Sequence, residues 1–189
     1  FVEAEEIVRK VRSAHGDDAV AHHALALALR GQRKPDLAIE SCERALSLDP
    51  TNFAPYVTMS QILDEGGHPA KCVEPLRAAL QLEPKNFLLL SNLGSVLLRL
   101  GQVQEGKDLL EASYRIRPSA VACTFLGMAL EAAESPDFQR RKVQLLEEAI
   151  VLDPSYWLAW LQLGSERCRN QQNTLDGIEK LLRAARLRP

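Results

Sequence analysis

"LSLDP", running from Leu46 to Pro50, reads as the last turn of a helix stopped by a proline. The shape returns as "LQLEP" (Leu80–Pro84), "YRIRP" (Tyr114–Pro118), "IVLDP" (Ile150–Pro154) and "AARLRP" (Ala184–Pro189). Prolines at 50, 84, 118, 154 and 189 are spaced by 34, 34, 36 and 35 residues. A fixed period of this size marks a repeat array, in which each unit is one supersecondary element. Proline ends the helix because it has no N–H to donate and its ring clashes with the preceding turn.

Anchoring on the prolines brings other positions into register. Five residues before each stands Ala45, Ala79, Ser113, Ala149 or Ala184, all small. Eight before stands Cys42, Leu76, Leu110, Leu146 or Leu181. Earlier in each unit comes a pair: Leu25-Ala26, Met59-Ser60, Leu93-Gly94, Leu126-Gly127, Leu163-Gly164. Small residues suit a close helix–helix approach, and larger apolar residues recur around them at helical spacing. Each unit is therefore expected to be a hairpin of helix A and helix B. One hairpin cannot bury its apolar face alone, so neighbours must stack to supply the core.

This pattern resembles the tetratricopeptide repeat, with its W-x2-L-G-x2-Y, A-x3-F and P positions. Trp160-x2-Leu163-Gly164 matches the first part best, and Ala38-x3-Cys42 the second. The resemblance implies an all-α fold, a right-handed superhelical solenoid of antiparallel helix pairs filling residues 1–189 as one domain. Its units would be 19–52, 53–86, 87–119, 120–156 and 157–189, after a helix B of a partial unit at 1–18 with Ala4, Val8 and Val11 in packing positions. Three departures stand out. Extra residues around "EAAESPDFQ" (Glu131–Gln139) lengthen the fourth unit, where Ser135 would cap helix B and Pro136 start it. Pro75 falls inside a helix B, where a kink is expected. Arg167 replaces the usual aromatic or Leu. Asp, Ser, Thr or Asn beside the prolines, as in "DPTN" and "DPSY", is expected to cap the next helix A.

Composition narrows the function. Net charge is −2, with 23 basic and 25 acidic residues and no polybasic run, which argues against nucleic acid as a partner. No apolar stretch is long enough to insert directly into a membrane. The acidic start "FVEAEEIVRK" is unlike a signal peptide. Cys42, Cys72, Cys123 and Cys168 are widely spaced, as free thiols of a cytoplasmic protein would be, and not as a zinc site. His22 and His23 are adjacent, and neighbours on a helix point about 100° apart, a poor chelate. No catalytic or nucleotide-binding motif is present, so no enzyme activity, cofactor or metal is expected.

The A helices carry the functional signal. "AVAHHALALAL", "FAPYVTMSQIL", "FLLLSNLGSVLL", "VACTFLGMAL" and "SYWLAWLQLGS" contain no formal charge, whereas the B helices are rich in Glu, Lys and Arg. A helix without a polar face is usually covered on all sides. In the resembled family the A helices line the concave surface. Carried over by register, that stripe would be Val20, His23, Ala24 and Leu27, then Val57, Thr58 and Gln61, then Leu88, Ser91, Asn92 and Ser95. It would continue through Val121, Thr124, Phe125 and Met128 to Leu158, Leu161, Gln162 and Ser165, with Arg99 and Arg169 at the rim. The resemblance thus implies a protein-interaction scaffold that takes an apolar or amphipathic segment of a partner. The Lys/Arg/Asn clamp for a terminal carboxylate is not matched, since only Asn92 is in place. An asparagine ladder is not matched either, because its positions hold Ala24, Thr58, Asn92, Phe125 and Gln162. Alternatives are A helices packed tightly enough to narrow the groove, a targeting region of a larger enzyme such as a transferase, and self-association through uncapped ends. Trp160 is expected in the core and Trp157 nearer the surface.

Overall fold

The computed structural model describes residues 18–130, 136–169 and 174–188. Among them the chain is ten α-helices and no strand: α1 Ala19–Gly31, α2 Pro35–Leu48, α3 Ala54–Glu65, α4 Pro69–Leu82, α5 Phe87–Arg99, α6 Val103–Ile116, α7 Ala120–Ala129, α8 Pro136–Leu152, α9 Trp157–Arg169 and α10 Thr174–Leu187. Odd-numbered helices are the A helices of the sequence register and even-numbered ones the B helices. The expected helix at 1–18 lies outside the described residues except for Asp18, and so does the expected Ser135 cap. Helix α8 does start at Pro136.

The helix ends ahead of the prolines share one hydrogen-bond pattern. Helices α2, α4, α6, α8 and α10 each end two residues before their proline. The residue before the proline is pushed out of the helical region, at φ/ψ −138/89 for Asp49, −128/72 for Glu83 and −158/119 for Arg117. Its N–H still donates to the carbonyl of the small residue four positions back. These bonds are Asp49 to Ala45, Glu83 to Ala79, Arg117 to Ser113, Asp153 to Ala149 and Arg188 to Ala184, all 2.9–3.0 Å. The chain then turns. Asp49 Oδ1 accepts from Thr51 N–H at 3.1 Å and from its hydroxyl at 2.7 Å, and Asp153 does the same for Ser155 at 2.9 and 2.6 Å. The aspartate thus braces the turn, while Asn52, Asn86 and Ser119 accept from N–H groups of the following first turn. Pro75 sits within the continuous helix α4.

The A-to-B turns repeat as well. Arg33 (φ 58), Gly67 (φ 74) and Gly101 (φ 80) share one left-handed position. After it, the N–H of Lys34, His68 or Gln102 reaches back to the carbonyl of Leu29, Leu63 or Leu97 at 2.9–3.0 Å. Arg33 is the one non-glycine residue with positive φ among the described residues.

The chain divides into two compact units, residues 1–89 and 90–189. In the first, α1 packs on α2 and α3 on α4, while α2 and α1 both touch α3. In the second, α7 packs on α8 and α9 on α10, with α6 against α7, α8 against α9 and α7 against α9. The second core gathers Leu110, Ala122, Cys123, Phe125, Leu145 and Ala159.

Inside each hairpin the helices cross at small residues. Ala26 and Ala38 are fully buried, and Cys72 Sγ lies 3.2 Å from Ser60 O. A Cβ on Gly94 would stand 2.8 Å from Gly106 O, and one on Gly164 would stand 2.9 Å from Gly177 O. The fourth hairpin breaks the rule. Lys142 holds the place, twelve residues before the proline, that Ala38, Cys72, Gly106 and Gly177 hold elsewhere. Its side chain reaches Glu166 of α9, with Nζ to Oε2 at 2.7 Å and both side chains 2% exposed. Glu166 in turn takes the position of the buried Ile62 and Val96. A small–apolar contact has been replaced by a buried ion pair, and removing one member of such a pair leaves a buried charge poorly compensated.

Removing one member, by Glu166→Gln or Lys142→Met, should lower unfolding stability by about 3–5 kcal/mol. The joint variant Lys142→Met/Glu166→Leu should recover most of that loss. A double-mutant cycle from denaturant unfolding reads the coupling, and additive losses would show that the two side chains act separately.

Candidate functional site

The A-helix faces build differently in the two units. In residues 1–89, Val20, Ala24 and Leu27 lie on one side of α1 at helical spacing, and all are exposed, Val20 to 67%. Leu88, in the first turn of α5, is 53% exposed. His23 is half-buried and Thr58 of α3 is buried; they meet at 2.9 Å, Nε2 to Oγ1. The Thr58 hydroxyl donates to Ala54 O at 3.2 Å, so its proton is spoken for and His23 Nε2–H is the donor to Oγ1. Burial holds the His23 pKa below the usual histidine value, which favours the neutral ring. Gln61 is half-buried and accepts from Arg30 Nη1 at 2.5 Å, while Arg30 Nε donates to Glu65 at 3.0 and 3.2 Å. That pairing raises the Arg30 pKa and lowers that of Glu65. Val57 is half-buried beside these groups. The polar residues expected to greet a ligand here are tied to each other across α1 and α3.

In residues 90–189 the stripe is more enclosed. Ser91 and Ser95 of α5 are buried, and the Ser95 hydroxyl donates to Asn92 O at 2.8 Å. Asn92 is half-buried and Arg99 exposed. Thr124 is fully buried, and its hydroxyl has no hydrogen-bond partner among the described residues. Phe125 is a core side chain, with Val121, Met128 and Leu158 packed against the same cluster. The expectation of Phe125 as an open groove residue is corrected here: α7 touches α9 directly, and their apolar side chains fill the space. Thr58, Ser91, Ser95 and Thr124 are likewise packing groups and not surface ones. On α9, Leu158, Leu161, Gln162 and Ser165 are half-buried. Arg169 turns one guanidinium nitrogen to within 3.4 Å of Glu166 Oε2.

Other candidates are structural. Cys42 and Cys123 are buried thiols with pKa values pushed up to about 12 by desolvation, so they stay protonated and unreactive at neutral pH. Among the described residues, no group of three His, Cys, Asp or Glu side chains converges to hold a metal. Trp160 is half-buried, donates Nε1–H to Pro154 O at 3.0 Å and carries Arg183 over its ring at 5.9 Å. Trp157 stacks with Arg188 at 5.4 Å. Arg167, the departure in the fifth unit, bonds Glu147 at 2.7 Å and lies 3.8 Å from Asp176. Missing from the sequence reading was the buried Lys142–Glu166 pair. Its signal was present in the register, where a lysine stands at a small-residue position.

Comparison with known proteins bears on this hairpin architecture. Residues 19–52 match the tetratricopeptide repeat family model. No curated protein matches the sequence. Among solved structures, MamA 41-end from Desulfovibrio magneticus RS-1 is similar at TM-score 0.68 and 22% identity, covering 92% of this chain and 97% of that one. YrrB, described as a TPR protein with an unusual peptide-binding site, gives TM-score 0.65 at 19% identity over 96% of this chain and 92% of its own. A chain of the APC/C Cut9–Hcn1 hetero-tetramer gives TM-score 0.83 at 16% identity, over 98% of this chain but 36% of that one. At these identities the likeness is one of fold. Residues 19–52 thus match one tetratricopeptide repeat, and a hairpin of the same build recurs through the described residues.

Proposed function

We propose that the chain is a non-catalytic protein-interaction scaffold that binds an apolar or amphipathic segment of a partner protein on its A-helix faces. The observation that carries this is the exposed stripe Val20, Ala24 and Leu27 on α1, a charge-free surface in a protein whose B helices hold most of the charge. Leu88 offers a further exposed apolar side chain. The His23–Thr58 and Arg30–Gln61 bonds stiffen this face, so a helix laid against it loses little to reordering. In the second unit, half-buried Asn92 and Gln162 are polar A-helix groups that could bond a bound backbone. The four free thiols, three of them buried, support a reducing, cytoplasmic setting. No described helix is long and apolar enough to cross a membrane.

The test is the triple variant Val20→Glu/Leu27→Glu/Leu88→Glu, three exposed positions whose change leaves the core intact. With helical signal and thermal melt matching wild type, a partner captured from source lysate by wild type alone supports the reading. Unchanged capture would place binding elsewhere.

A second reading, self-association, is favoured by the last described helix. Leu175 (85% exposed), Ile178 and Leu182 form an outward apolar stripe at i, i+3 and i+7 on α10. Mass by light scattering should then rise with concentration and fall back in Leu182→Glu. A constant monomer mass would exclude it.

A further inference from the structure

The fourth hairpin differs from the others at one end, and the difference builds a cavity. Helices α2, α4 and α6 each begin fifteen residues before their proline, whereas α8 begins eighteen before. The extra turn at its start carries Phe138, an aromatic ring left 46% exposed on a B helix. Phe138 lines an open pocket of about 420 Å³ between α6 and α8, whose apolar lining also includes Leu126, Leu130 and Leu145. This volume falls in the range of ordinary ligand sites, roughly 300–1,000 Å³. Its described lining residues fall between Lys107 and Leu145, within one compact unit. It is walled chiefly by B helices and is separate from the A-helix stripe.

Its rim is positive. Among the described residues, Lys107, Arg115 and Arg141 line it against one carboxylate, Glu111. The Lys107–Glu111 contact is long, at 3.9 Å. Arg115 Nε donates to the backbone carbonyl of Glu111 at 3.3 Å, and its guanidinium has no carboxylate partner among the described residues. The Tyr114 phenol is held at the edge by Glu148, donating at 2.9 and 3.1 Å. That acceptor raises the tyrosine pKa, so the group stays protonated and fixed. An apolar floor beside an arginine with no carboxylate partner among the described residues asks for a ligand with a bulky apolar anchor and adjacent negative charge.

We propose that this pocket is a second binding site, which takes an acidic peptide segment of a partner protein by burying one aromatic or leucine side chain between Phe138 and Leu130. The acids flanking the anchor lie over Arg115 and Lys107. The extra turn of α8 is the specificity element, because α2, α4 and α6 lack the residues that make this wall.

The test uses the full chain, isotopically labelled for amide NMR, and two acetylated peptides with a central Phe. One is flanked on both sides by Glu and the other by Lys. The Glu-flanked peptide should give saturable shifts confined to α6, the end of α7 and the start of α8, and the Lys-flanked peptide should give none. Arg115→Glu and Phe138→Ser, both at exposed positions, should each weaken the acidic peptide about tenfold with an unchanged thermal melt. Charge reversal at Arg115 should also raise the affinity of the Lys-flanked peptide. Equal binding of the two peptides, shifts centred on α1 and α3, or no saturable shift at about 1 mM would each overturn the proposal.

Discussion

Everything in this fold follows from how closely helix A and helix B of one hairpin approach each other. At Gly94 and Gly106 the two backbones leave no room for a methyl group, since a Cβ on either would lie 2.8 Å from the other's carbonyl oxygen. Gly164 and Gly177 repeat the contact, and Ser60 with Cys72 and Ala26 with Ala38 are its slightly larger versions. Close approach sets where the flanking leucines meet, and so which faces remain for the next hairpin. The proline stop then fixes helix length, and the carbonyl of the small residue five positions earlier takes the last N–H. Two short-range constraints, one on width and one on length, are enough to repeat a hairpin along the chain.

Because both constraints are local, they were readable in the sequence. The prolines, the small residues and the uncharged A helices mark an all-α array of recurring helix pairs. What sequence could not supply was the outcome of packing between hairpins. Phe125 and Leu27 sit on equivalent apolar stripes, yet Phe125 is inside the core and Leu27 is exposed. Phe125 is gathered with side chains of α6, α8 and α9, neighbours that no single unit encodes. Lys142 and Glu166 show the same limit. Each looks like an ordinary charge on a charged helix, and only the contact of α8 with α9 pairs them. The cavity beside Phe138 comes from three added residues, visible as a spacing of 36 but not as a pocket.

These exceptions concentrate in the fourth hairpin. It has the lengthened helix α8, the buried ion pair and the positively rimmed cavity. Regular hairpins give an array its shape, while irregular ones are where residue types stop serving the repeat alone. An ion pair at a crossing costs more to assemble than alanine and isoleucine would. What it provides is directional: Lys142 reaches across to Glu166 of the next hairpin, so the contact of α8 with α9 is specified by charge as well as by shape. The A-helix face around His23 and Thr58 is specified in a related way, by a hydrogen bond and not by a salt bridge.

The central claim, that the backbone crossing governs the fold, is tested most directly by comparing two glycine-to-alanine changes in urea unfolding followed by circular dichroism. Gly106→Ala gains helix propensity of up to about 1 kcal/mol. It also sets a methyl against Gly94 O and the backbone of Leu98, an overpacking cost of about 1–3 kcal/mol. Gly31→Ala places its methyl where no atom lies within 4 Å. The account predicts a lower unfolding midpoint for Gly106→Ala and an unchanged or higher one for Gly31→Ala. Equal stabilisation by both changes would contradict it.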